Sequence, residues 1–265
     1  MSNSAFTVNQ INSLLKVKES YKAPGVLLKI LFNKNKREAL FRDFLDINHD
    51  VSLDWFSEYY QKEISEKDKN QDLTPHQLSE LLAKLVNSGS ENEPSDTSTN
   101  LDIGAGTGSL TISKWREDCL NSGFFTYKPH EHLYYCEELS DKAIPFLLFN
   151  MAIRGINCVV FHGDSFTRKC KGVFLIENQD DEYISFSDIN LMPYNDEAKA
   201  YFNVTQWDNL DSFGNKIYPE HVETEFDDWV YSIRAAERRD RELKERFVKA
   251  FQQLKDHQQL KDYQQ

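Results

Sequence analysis

The run from Leu101 to Trp115, LDIGAGTGSLTISKW, limits the fold more tightly than any other part of this chain. A short apolar strand leads into Gly104, Gly106 and Gly108, and a helical pattern starts directly after them. Glycines at these positions let the backbone turn sharply and pass close to a ligand where a Cβ would collide. The helix that follows presents free N–H groups and the positive end of its dipole to that ligand. The glycine run alone does not separate ligand classes, because nicotinamide-binding folds use a similar turn.

The pattern then repeats. EHLYYCEEL reads as a second strand, SDKAIPFLLFNMAIRG as a helix, INCVVFHGDSF as a third strand with its exit loop, and KGVFLIEN as a fourth strand. Alternating strands and helices of this length predict an α/β protein with a parallel, doubly wound, Rossmann-like sheet over residues 101–222. The second strand ends in Glu137 and Glu138. A carboxylate there can accept hydrogen bonds from both ribose hydroxyls of an adenosine cofactor. Consecutive strand residues face opposite ways, so one of the two serves that role and the other is expected in solvent. The third strand ends in His162-Gly163-Asp164-Ser165, where Asp164 is a candidate acceptor for an adenine amino group and His162 reads as a packing residue.

Residues 1–86 read as a helical region. Val8, Ile11, Leu14 and Leu15 share one helix face, Pro24 restarts the chain, and Leu40, Phe41, Phe44 and Leu45 recur at spacings of three and four. Ser52 is a candidate cap for a fourth helix. Thr74-Pro75 opens a fifth, with Leu78, Leu81, Leu82 and Leu85 as its stripe. Residues 87–100 are polar and read as a flexible linker. Residues 223–265 read as a C-terminal amphipathic helix, equally suited to packing on its own domain or to a protein partner, a second copy included.

A formal net charge of −12 argues against unaided nucleic-acid binding, so any contact with DNA would need a local basic patch or a partner subunit. Cys119, Cys136, Cys158 and Cys170 form no CxxC pair and read as reduced thiols of a cytoplasmic protein, without a metal site. The chain shows neither a secretory signal pattern nor an apolar run long enough to span a membrane.

Taken in order, TPHQL, DIGAGTGSL, EELSDKAIPFLLFNMAIRGIN and HGDS resemble the N6-adenine DNA methyltransferases, above all the methylation subunit of type I restriction–modification systems. The resemblance covers roughly residues 71–166. It implies S-adenosylmethionine as cofactor, with Thr74, Asp102, Gly104, Ala105, Gly106, Thr107, Gly108, Glu138, Asp164 and Ser165 as its binding residues. Matching back from FNMAIRGIN selects Glu138 over Glu137. It also implies a bacterial or phage setting.

The chain departs from that family where the chemistry sits. Adenine methylases carry Asn/Asp-Pro-Pro-aromatic after the fourth strand, to clasp the flipped base. The corresponding stretch is Ile176-Glu177-Asn178-Gln179-Asp180-Asp181. Asn178 is the candidate catalytic amide, but both prolines and the aromatic are missing. Met192-Pro193-Tyr194-Asn195 has a Pro-Tyr pair without the amide before it. The stretch from Asn178 to Glu223 is too short for the rest of a complete methyltransferase sheet, so a truncated sheet is expected. The leading expectation is a degenerate methylase that keeps its cofactor pocket and works as a binding or regulatory module. The alternative is an active adenine-N6 DNA methyltransferase that needs a DNA-specificity partner. A nicotinamide-dependent oxidoreductase ranks last, since it explains neither the Thr-Pro helix nor HGDS.

Overall fold

The computed structural model describes residues 5–65, 78–79, 81–82, 100–123 and 126–219. Thr74, nearly all of the expected linker and the expected C-terminal helix lie outside the described residues. Helix α1 (Val8–Leu14) starts at a capping box, in which Thr7 Oγ1 accepts from Gln10 N and the Gln10 side chain accepts from Thr7 N. Pro24 sits in the first turn of α2 (Ala23–Leu31), where a missing N–H costs nothing. Asn33 caps α3 (Lys34–Leu45).

The fourth helix starts later than expected. Ser52 donates through both its backbone N–H and its hydroxyl to Asp50 Oδ1, and Phe56 N donates to Asp54 Oδ1. These side-chain turns compete with helical bonding and keep residues 50–56 irregular. Helix α4 (Ser57–Tyr59) begins only after them and winds on as a π-turn over Tyr60–Ile64. At residues 78–79 and 81–82 the chain is helical, but Leu78, Leu81 and Leu82 are exposed while Ser79 is buried.

Strands β1 (Asn100–Ile103), β2 (Tyr134–Glu138) and β3 (Cys158–Gly163) are parallel and adjacent in that order. Helices α5 (Ser109–Ser122) and α6 (Ile144–Ile153) make the crossovers. The expected parallel continuation fails at the next strand. β4 (Lys169–Glu177) runs antiparallel to β3, because only a tight turn separates Gly163 from Lys169. A parallel partner would have needed a crossover of about a dozen residues. β5 (Asp188–Leu191) then pairs antiparallel with β4. After α7 (Asp196–Tyr201), β6 (Gln206–Trp207) pairs with the start of β4. Among the described residues, all strands therefore lie to one side of β1.

One sheet face, carrying Tyr134, Cys136, Val160, Phe174 and Ile176, shares a core with α5, α6 and the N-terminal helices. Every residue of α6 is buried, since the helix lies between sheet and helical module. Aromatic rings join the two: Phe41 and Phe44 meet Phe149 at 4.8 and 4.9 Å, and Phe56 meets Phe146 at 4.8 Å. On the other face of β1, Leu101 and Ile103 are 58% and 59% exposed. All four cysteines are free and buried. No helix among the described residues is long and apolar enough to cross a membrane.

Candidate functional site

The carboxyl ends of β1, β2 and β3 meet around the glycine turn. Gly104, Gly106 and Gly108 all take positive φ, at 75°, 59° and 96°. Gly104 faces open space, for a Cβ there would meet nothing within 4 Å. A Cβ on Gly108 would lie 2.7 Å from Met151 Cε and 2.9 Å from Leu147 Cδ1, so this glycine lets α5 close onto α6. Gly104 N and Ala105 N both donate to Glu137 O, which carries the ladder past the end of β1. Glu138 turns its side chain into the turn: Oε2 accepts from Gly106 N at 2.8 Å and Oε1 from Ser140 N at 2.7 Å.

The turn is also held from the N-terminal module, by a residue that the sequence pattern did not single out. Asp54 Oδ2 accepts from the hydroxyls of Thr107 and Ser109 at 2.5 and 2.6 Å, and Oδ1 accepts from Asn150 Nδ2 at 2.8 Å. Asn150 Nδ2 also donates to Thr107 O. One helical turn later, buried Arg154 donates to Val51 O, Leu53 O and Asn150 O. Burial lowers the Arg154 pKa to about 10, with Asp54 and Asp50 acting the other way. The signal for this network was present in FNMAIRG: Asn150 and Arg154 are polar residues four apart in an apolar helix, and buried polar groups need partners.

The other expected site residues divide. Asp102 accepts from Thr111 Oγ1 at 2.9 Å, tucked under α5; burial pushes its pKa up while the Thr111 bonds act against it. It braces the helix that the turn starts. Glu137, expected in solvent, is instead paired with Arg168 at 2.6 Å, and that guanidinium covers the Phe161 ring at 4.0 Å. Asp164 and Ser165 stand at the same sheet end, at the turn between β3 and β4. Both oxygens of Asp164 are engaged in that turn, with Phe166 N, Thr167 N and Thr167 Oγ1. These bonds, that of the Thr167 hydroxyl foremost, hold its carboxyl below the usual range. Asp164 is thus a hairpin-turn residue, which the expected role as adenine acceptor did not anticipate. His162 is buried, with Nδ1 2.6 Å from Tyr218 Oη and Nε2 3.0 Å from Asp141 Oδ1.

Asn178 does not join the site. Because β4 is antiparallel, with Ile176 opposite Cys158, Asn178 follows beside the start of β3. At about 3.3 Å per residue, the length of β3 separates it from the glycine turn by about 20 Å. Its Nδ2 donates to Gly155 O, Glu182 O and Ser185 O, and its N–H to Asn157 Oδ1, so it ties a loop to the core. In the Met192–Asn195 stretch, which follows β5, Tyr194 Oη donates to Lys171 O and Asn195 caps α7.

Compared with protein-family models, residues 52–221 match that of N-6 DNA Methylase. Comparisons with curated proteins and with solved structures give no match. The matched span opens just before Asp54, takes in the glycine turn and the whole described sheet, and covers more than half of the chain. The protein belongs to the N-6 DNA methylase family, and its Rossmann-like α/β core is that of a methyltransferase.

Proposed function

We propose that the protein binds S-adenosylmethionine at the glycine turn and serves as a degenerate methylase, a binding or regulatory module that does not transfer the methyl group. The observation that carries this reading is the separation of Asn178 from the turn by the length of β3. The pocket side retains what the cofactor would need. Glu138 keeps spare lone pairs for ribose hydroxyls beside its bonds to Gly106 and Ser140. The backbone of Gly104–Gly108 opens to free space at Gly104. Thr74, Asp164 and Ser165 complete the proposed binding set, with Asp102 supporting the turn from below.

The charge around the turn favours this cofactor over a dinucleotide. Asp54 covers the first turn of α5, where a dinucleotide fold would seat its pyrophosphate on free N–H groups. A carboxylate there repels phosphate and tolerates a ligand carrying a sulfonium and an amine. When bound, S-adenosylmethionine supplies an electrophilic methyl group. In this chain Asn178 stands away from it, committed to loop carbonyls.

The test is transfer of labelled methyl from S-adenosylmethionine to duplex DNA lacking adenine methylation. The expected result is no N6-methyladenine above background from protein that binds the cofactor, and no cofactor binding by Gly106→Asp. Methyladenine made by the wild type, alone or with a DNA-specificity partner supplied, would reinstate the active enzyme, with a catalytic group other than Asn178 to be found.

A further inference from the structure

We infer that Asp54 is the positioning residue of the cofactor turn: from the N-terminal module it holds Thr107 and Ser109 in the conformation the ligand requires, and so couples the docking of that module to cofactor affinity. This rests on the S-adenosylmethionine reading above.

The two Asp54 oxygens divide four donors between them. Oδ2 takes the hydroxyl protons of Thr107 and Ser109, and Oδ1 takes Asn150 Nδ2 and, at 3.0 Å, Phe56 N. Only a carboxylate satisfies four donors together; an amide in either orientation turns its NH2 group on two of them. Thr107 is fully buried and Ser109 opens α5, so the two hydroxyls bracket Gly108. The loop that carries Asp54 is itself fixed, because Arg154 holds Val51 O and Leu53 O and its guanidinium lies over the Trp55 ring at 5.5 Å.

The first turn of α5 is therefore set by a residue 55 positions before Ser109, not by the glycines alone. A ligand aligned on that turn senses the module through Asp54. Since S-adenosylmethionine and its demethylated product would use the same turn, losing the clamp should weaken both alike. A direct charge effect on the sulfonium would weaken the first alone.

Asp54→Asn and the double variant Thr107→Val/Ser109→Ala are titrated with both ligands, at a temperature where circular dichroism shows each protein folded. Either variant should raise Kd about tenfold for both ligands. Adding D54N to the double variant should cost less than about threefold more, since the partners of Oδ2 are already gone. Should D54N fail to fold, the double variant carries the same test. Folded variants that bind within about twofold of wild type would overturn the inference and leave the cofactor reading intact. Additive losses in the triple variant would overturn it too, as would a loss confined to S-adenosylmethionine. No binding by the wild type is a separate result, and it removes the cofactor reading itself.

Discussion

Glu138 and Asp54 reach the same turn from 32 residues after it and 53 before it, and they differ in how far sequence reasoning could find them. That Glu138 reaches the turn was legible because it follows from its place at a strand end, a local property. Asp54 was not, because its partners come together only when the irregular loop at 50–56 docks on α5 and α6. Asn178 differs in the opposite sense: its place in the sequence suits the family motif, while its side chain donates to the carbonyls of Gly155, Glu182 and Ser185. Replacing it with Ala leaves Gly155 O, Glu182 O and Ser185 O without their shared donor. Asn178→Ala should lower stability by about 1–3 kcal/mol while cofactor affinity stays within about twofold. Thermal melts paired with cofactor titration check this, and lost affinity in a folded variant would return Asn178 to the site. Gly155, from the same FNMAIRGIN phrase, has φ 65°, and an added Cβ would lie 2.4 Å from Ser185 O. Gly155→Ala should therefore cost more than about 1 kcal/mol in denaturant unfolding, and an unchanged midpoint would refute the clash.

At the scale of elements, the parallel half of the sheet was readable from periodicity and the antiparallel half was not. β1, β2 and β3 alternate with helices long enough to cross over, whereas KGVFLIEN has the same apolar character whichever way it runs. Its direction is set by the tight link between Gly163 and Lys169. The link from β2 to α6 stabilises the carboxyl edge in another way. Asp141 lies 3.0 Å from His162 Nε2 and pairs with Lys171 Nζ, and these partners, His162 foremost, hold its carboxyl well below the usual range. A carboxylate with a depressed folded pKa contributes stability above its unfolded value of 3.8, and that contribution is lost as pH falls below it. Asp141→Asn should thus destabilise the protein fully at pH 6 and by progressively less as pH falls from 4 towards 2. Denaturant midpoints across that range decide the matter, and a deficit independent of pH would contradict the assigned cause.

For the molecule as a whole, the formal charge of −12 and the acidic side chains around the turn point the same way. Glu138 suits a ligand with hydroxyl groups, and carboxylates this close to the turn suit a polyphosphate poorly. The helical module supports the turn as much as the sheet does, since its aromatic residues embed α6 and its Asp54 braces the turn. The family was legible from four ordered motifs. The departure from the family motif was legible in the missing prolines and aromatic, whereas the place of Asn178 beside the start of β3 depends on the direction of β4.

The most direct test of the account is calorimetric titration of the wild-type protein with S-adenosylmethionine and, separately, with its demethylated product. Saturable one-to-one binding of both is expected, abolished by Gly106→Asp. Absence of binding at millimolar ligand would contradict it, leaving the glycine turn, Glu138 and Asp54 as inherited architecture without a cofactor.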